Sequence, residues 1–126
     1  MLLANSVALV LLVAATPMWA QERFATIRLF VQSAPLAGFR HYAAADVWPQ
    51  LRVGDRLELS RESDNPHDVN AIAVTWRGLK LGYLPRRENA ALAWGLDRGE
   101  PLQARISRLL PHPNPARRVE IEVFLE

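Results

Sequence analysis

Two carboxylates, a carboxamide and an imidazole crowd one short run, Asp64-Asn65-Pro66-His67-Asp68. Two chemistries are open to it. Asp64, His67 and Asp68 could hold a metal ion and activate water on a phosphoester. The same residue types also build turns, because Asp and Asn side chains accept hydrogen bonds from backbone two residues on. The second use is the commoner. It consumes Asp64 and Asn65 locally and leaves the Asp68 carboxylate free to point outward at a ligand.

The cations are 14 Arg and a single Lys. Arg presents a planar fork that matches phosphate or carboxylate and stacks on flat rings. Most of the 14 are accounted for by solvated strand faces. Arg40, Arg86 and Arg87 differ, because they border a glycine-led segment and a strand-to-helix junction, where loops usually carry function. Gly38, just before Arg40, would let backbone come close to a ligand. Flat side chains are interleaved with these arginines: His41, Tyr42, His67 and Tyr83. Arginine on a rim over flat side chains suits single-stranded nucleic acid, since every base has a stackable face. The plain alternative packs Tyr42 and Tyr83 in the core with their hydroxyls bonded.

Other chemistries are excluded or unsupported. The chain has 126 residues, enough for one domain, and no cysteine, so disulfides, Cys-ligated zinc and a thiol nucleophile are ruled out. There is no Gly-x-Ser-x-Gly, no phosphate-cradling glycine loop and no dinucleotide fingerprint. His41, His67 and His112 lie on separate segments without metal-ligand spacing. No cofactor and no metal are expected. The formal charge is 15 − 13 = +2, a mild attraction to anions rather than a strongly basic arm. With 50% hydrophobic and 22% charged residues the chain is globular rather than disordered.

These side chains must be held by short elements. Phe24 to Ser33 alternates, with Ile27, Leu29 and Val31 on one side, as a half-buried strand does. Gly38 to Tyr42 reads as a short strand or loop, and Ala43 to Gln50 as a short helix limited by Pro49. Leu57 opens a strand running to about Glu62. Ala71–Trp76 and Leu79–Leu84 form a hairpin across Arg77-Gly78. Glu88 to Arg98 is a helix with Ala91, Leu92 and Leu96 inward. Leu102–Leu109 and Val119–Leu125 are strands flanking a proline-rich loop. About six strands and two helices predict a mainly β fold, a small OB-like β-barrel or a compact α+β sheet. Leu57, Ile72, Val74, Leu81 and Ile106 are the expected core.

Residues 1–20 carry no charged side chain, and Val7 to Ala15 is continuously apolar. Thr16-Pro17 breaks the run, and Ala20 is a suitable residue before a cut. The expectation is a signal peptide cleaved after Ala20, a mature chain from Gln21 to Glu126, and an exported protein, periplasmic or extracellular. The alternatives are an uncleaved anchor and a wrongly chosen start codon. The stretch is short of the ~20 residues a bilayer span takes, so no stable membrane span is expected after cleavage.

Four segments together resemble the HIRAN domain family: Ala37-Gly38-Phe39-Arg40-His41-Tyr42, Leu51 to Glu62, Asp64-Asn65-Pro66-His67-Asp68-Val69-Asn70-Ala71-Ile72-Ala73-Val74, and Lys80-Leu81-Gly82-Tyr83-Leu84-Pro85. The resemblance covers roughly Ile27 to Leu109. It implies an OB-like barrel with two helices. In the family's best understood members it also implies capture of the 3′-hydroxyl end of single-stranded DNA. Carried over by position, Arg40 and Arg86 would hold phosphates. Asp68 would accept from the terminal hydroxyl, with Asn65 nearby. Tyr83 falls where that branch uses a polar aromatic that meets the backbone. His41 and His67 fall where it uses stacking tyrosines, and an imidazole is smaller, stacks less and charges below about pH 6.5. ATP-hydrolysing and zinc-binding members owe those activities to neighbouring domains that are absent from this sequence.

Three functions follow. The first is a stand-alone nucleic-acid-binding module, expected to be a monomer, with Arg40 and Asp68 on two sides of one groove. The second is an envelope module that uses the same groove for a protein C-terminus or a polyanion, since carboxylate and phosphate ask for similar forks. The third is a metal-dependent phosphoester hydrolase built on Asp64, His67 and Asp68.

Overall fold

The computed structural model describes residues 28–126. The signal segment, the cut after Ala20 and the start expected for the first strand lie outside the described residues. Six strands form one antiparallel sheet: β1 (Leu29–Pro35), β2 (Arg56–Arg61), β3 (Ile72–Trp76), β4 (Leu79–Tyr83), β5 (Leu102–Leu109) and β6 (Val119–Leu125). Their spatial order is β1-β6-β5-β2-β3-β4. Two helices, α1 (Ala44–Val47) and α2 (Ala90–Asp97), and three single 3-10 turns complete the described chain.

The sheet curls until its ends meet. Just beyond β1, the Leu36 N–H donates to the Val119 carbonyl of β6, while Ala37 bridges Tyr83 of β4. The strand at one edge thus reaches the strand at the other, which gives the OB-like form. This closure explains Gly82. A Cβ there would collide with the Ala37 carbonyl oxygen and crowd Leu36, so only glycine lets the two backbones approach. At the other end of the β3–β4 hairpin, Arg77 and Gly78 take φ of +47° and +81°, the pair of positive values that a type I′ turn demands.

The core is the inward face of this curl. Leu57, Ile72, Val74, Leu81 and Ile106 are each no more than 2% exposed, alongside Leu36, Leu51, Ile121 and Val123. Two expectations need correction. Leu29 and Val31 do not face inward; they are 61% and 40% exposed. A bulge between Phe30 and Gln32 takes Val31 out of the ladder with β6. The phase of the strand changes there, and Ala34 and then Leu36 point to the core instead. In α2 the inward residues are Leu92 and Ala93, with Leu96 half-buried and Ala91 exposed. The helix begins at Ala90, and its eight residues bury a narrower stripe than the longer amphipathic helix expected.

Candidate nucleic-acid interface

The turn after β1 is pinned to β4 at both ends. Ala37 and Tyr83 exchange backbone hydrogen bonds of 2.8 and 2.9 Å, and the Ala43 N–H donates to the Lys80 carbonyl at 3.0 Å. Between these points Phe39 is buried, edge-on to Trp48 at 5.8 Å and beneath the Arg118 guanidinium at 5.1 Å. With Phe39 inside, Arg40, His41 and Tyr42 are left outside. Gly38 takes a φ of +82°, and a Cβ on it would stand 3.2 Å from the Tyr42 ring. That glycine makes room for a tyrosine of its own turn, a use different from the close ligand approach expected of it.

The loop between β2 and β3 is folded by its own side chains. Asn65 Oδ1 accepts from the His67 N–H at 2.9 Å, and Asp68 Oδ1 accepts from the Asn70 N–H at 2.9 Å. Arg61 staples it from behind, donating to the Val69 and Ala71 carbonyls and pairing with Asp97 of α2 at 3.0 Å. Asp68 is therefore not the free carboxylate expected. Its Oδ2 accepts from Asn89 Nδ2 at 2.7 Å. Asn89 stands at the N-cap of α2, only 1% exposed, yet makes no capping bond. Its Oδ1 has no partner. Turning the amide over would set that oxygen against a carboxylate, so the charge-assisted bond fixes the amide despite the cost of an orphaned carbonyl.

A second cluster backs the loop. Lys80 Nζ donates to Glu62 Oε2 at 2.8 Å and to the Tyr83 hydroxyl at 3.0 Å, and that hydroxyl donates to Glu62 Oε1 at 2.7 Å. Asn65 Nδ2 reaches the same Glu62 oxygen at 3.3 Å. The Lys80 ammonium, then the Tyr83 hydroxyl, holds the Glu62 carboxyl below its ordinary value. Glu62 in turn pushes Lys80 up, with Tyr83 adding to it. At the Tyr83 hydroxyl the donation from Lys80 pulls downward, but Glu62 and desolvation outweigh it and the net direction is up. The Tyr83 ring lies edge-on to Tyr42 at 5.5 Å and 71°. Lys80 Nζ sits 5.4 Å from the Tyr42 ring centre.

These pieces enclose a hollow of about 280 Å³ with Asn65, His67, Asp68, Tyr42, Tyr83 and Arg86 on its walls. Five of the seven residues expected at the site are thereby brought together. The other two, Arg40 and His41, line a neighbouring recess of about 300 Å³ with Asn114 and Ala116, on the far side of the Gly38–Tyr42 turn. Arg40 and Asp68 form no ion pair among the described residues. Tyr42 and Tyr83 divide the two readings given to them: both rings line the hollow, and the Tyr83 hydroxyl is bonded. Among the described residues no group of three or more His, Asp or Glu is placed to hold a metal ion, and Asp64, His67 and Asp68 do not form one. Lys80, Glu62 and Asn89 are the participants the sequence reading missed. The one lysine among 15 cations, set in the Lys80–Pro85 motif, was the available signal for the first.

The model of the HIRAN domain matches residues 29–126. The chain belongs to the HIRAN domain family. The match runs past Leu109 through β6, further than the sequence resemblance reached. A crystal structure of a protein from Lactobacillus plantarum is similar at 28% identity and a TM-score of 0.67, over 79% of this chain and 95% of that one. The crystal structure of the HIRAN domain of human HLTF is similar at 22% identity and a TM-score of 0.61, over 78% of each chain. The second likeness speaks for the fold alone. No curated protein matches the chain. For a HIRAN domain, family membership suggests nucleic acid as the class of ligand.

Proposed function

We propose that this HIRAN domain binds single-stranded nucleic acid and takes its 3′-hydroxyl end in the Asp68 hollow. The observation that carries the reading is the Asp68 carboxylate. Two donors, the Asn70 N–H and Asn89 Nδ2, orient it on a wall shared with Arg86 and two tyrosine rings. Each carboxylate oxygen has more than one acceptor site, so Asp68 can still accept from a hydroxyl. Arg86 is the group suited to the adjoining phosphate, and His67, Tyr42 and Tyr83 are the flat surfaces for a terminal base. A fixed negative charge beside the seat favours a neutral hydroxyl over a terminal phosphate or carboxylate. That same charge weighs against a protein C-terminus as the occupant.

The test is a titration of the protein with labelled oligothymidylates ending in 3′-hydroxyl or 3′-phosphate. The 3′-hydroxyl form is expected to bind more tightly, and Asp68→Asn to erase the difference. That substitution keeps the fold, because the unpartnered Asn89 Oδ1 can then accept from the new amide once Asn89 turns over. Equal binding of the two ends by the unaltered protein removes the reading. Export is part of the proposal: the apolar segment before Ala20 supports it, and N-terminal sequencing of protein recovered outside the cytoplasm should begin at Gln21. A start at Met1 would favour the anchor.

A further inference from the structure

The largest recess described is not the Asp68 hollow. It measures about 480 Å³ and lies where β5 and β6 meet the proline-rich loop, with Arg108, His112, Arg117 and Glu120 on its walls. Seven arginines among the described residues are occupied: Arg28, Arg61, Arg98 and Arg105 by carboxylates, Arg52 and Arg118 by backbone carbonyls, Arg56 by Gln103. Arg40, Arg77, Arg86, Arg87, Arg108 and Arg117 take part in none of the ion pairs or side-chain hydrogen bonds found among the described residues, and all six are exposed; of these, Arg40, Arg86, Arg108 and Arg117 line recesses. The one carboxylate in the large recess, Glu120, accepts from the Ser33 hydroxyl at 2.9 Å.

These four border neighbouring recesses. Arg86 borders the Asp68 hollow. Arg40 borders the next recess, separated from the first only by the Gly38–Tyr42 turn. Arg108 and Arg117 border the third, which shares Ala116 with the second. The loop that carries Arg117 is firm. Asn114 Oδ1 accepts from the Ala116 N–H at 3.1 Å, His112 Nδ1 accepts from the Asn114 N–H at 2.9 Å, and Arg118 Nε donates to the His112 carbonyl at 2.8 Å. Arg118 is spent on folding that loop, which leaves its neighbour Arg117 to face outward.

We propose that the Arg108–Arg117 recess is a second phosphate-binding station. It would hold the backbone of the same single strand several nucleotides 5′ of the end seated at Asp68, with Arg40 bridging the two. The inference rests on the end-binding reading for the strand's direction. A repeating anion fits it, because unpaired guanidinium forks recur in successive recesses and a nucleic-acid strand offers a phosphate at every nucleotide. The domain would then read an end at one place and gain affinity from strand length at another.

The experiment compares 3′-hydroxyl oligothymidylates of about 3 and about 12 nucleotides across a salt series. The unaltered protein should bind the longer one more tightly and with a steeper salt dependence. In Arg108→Ala/Arg117→Ala the longer oligonucleotide should lose roughly tenfold in affinity, with the slope flattened by about 1.4 for two phosphates on a single strand. The short oligonucleotide and the preference for a 3′-hydroxyl should be unchanged. Arg77→Ala, an exposed arginine at the far end of the β3–β4 hairpin, should leave both lengths alone; an equal loss there would reduce the effect to net charge and overturn the station. No gain with length in the unaltered protein, or the same gain in the double variant, also overturns it. Loss of the length effect in the double variant, in a protein without any end preference, would keep the station and remove the end reading instead.

Discussion

Along the acceptor wall of the Asp68 hollow nearly every polar atom has a protein partner, whereas the arginines that border the same surface have none. Asn65 uses both ends of its amide, Asp68 both oxygens, and Glu62 collects Lys80, Tyr83 and Asn65. Arg40 and Arg86 project from turns without a counter-ion among the described residues. A group that must tell one terminus from another has to be fixed before the ligand arrives, since any reorientation is subtracted from discrimination. A group that only has to meet a phosphate can stay mobile, because a guanidinium fork attracts it from many positions. On the proposed function, the wall chooses and the rim attracts. Substitutions on the wall should therefore change stability and preference together, and substitutions on the rim should change affinity alone.

The largest effect is expected where the wall is anchored. Gly82→Ala drives a methyl group at the Ala37 carbonyl and breaks the closure that seats both the Gly38–Tyr42 turn and Tyr83. Backbone strain of about 1–3 kcal/mol and weakened hydrogen bonds of about 1 kcal/mol put the cost at roughly 2–4 kcal/mol. Urea unfolding should show a lower midpoint, and end preference should fall with it. An unmoved midpoint would mean that the seam is not what holds the wall.

Asn89→Leu comes next. It removes the charge-assisted bond to Asp68, worth about 1.5–3 kcal/mol, but also relieves the orphaned Oδ1. The net loss of stability should be about 1 kcal/mol. The discrimination between 3′-hydroxyl and 3′-phosphate should shrink while overall affinity for long strands stays. A variant that loses stability yet keeps full discrimination would show that Asp68 orients itself without Asn89.

How much of this was legible depends on how local the cause was. β5 and β6 stand at the bounds expected of them, because each buries one face along most of its length. The phase of β1 was not legible, since a bulge at Val31 is set by the partner strand rather than by the residues themselves. In the site, the Asn65 turn follows from its own chemistry and was readable. The partner of Asp68 was not: Asn89 is 21 residues away. It falls inside the helix expected over Glu88 to Arg98, and only the fold shows that its amide is turned to Asp68. The grouping of Arg86 with Asp68 in one hollow likewise depends on how the Gly38–Tyr42 turn is pinned to β4.

The Glu62–Lys80–Tyr83 cluster gives a smaller, pH-dependent test of the wall. Glu62 is held below its ordinary value by Lys80 first and Tyr83 next. Its contribution is therefore fully present above the unfolded carboxyl value of about 4.3 and is lost as pH falls through the folded one. Lys80 is raised, so its share is present below about 10.4 and is lost as pH rises through its folded value. Side-chain exposures of 27% for Glu62 and 36% for Lys80 keep the pair in the range of about 0–1 kcal/mol. Glu62→Gln should flatten the stability profile below about pH 4.5 relative to the unaltered protein. Parallel profiles would mean that other carboxylates control the acid limb.

The smallest effect on stability, and the sharpest test of the rim, belongs to Arg40→Ala. Arg40 is exposed, and the turn beneath it is fixed by Phe39 and by backbone bonds to β4, none of which involve the guanidinium. Unfolding free energy should change by less than about 0.5 kcal/mol. Binding should respond differently. If Arg40 meets one phosphate, its removal should weaken every single-stranded oligonucleotide alike and reduce the salt slope by about 0.7. The ratio between 3′-hydroxyl and 3′-phosphate should stay where it was, because Asp68 and Arg86 line a different recess from Arg40. A changed ratio would mean that the ligand terminus lies between Arg40 and Asp68 after all. The division into a choosing wall and an attracting rim would then have to be redrawn with Arg40 on the wall.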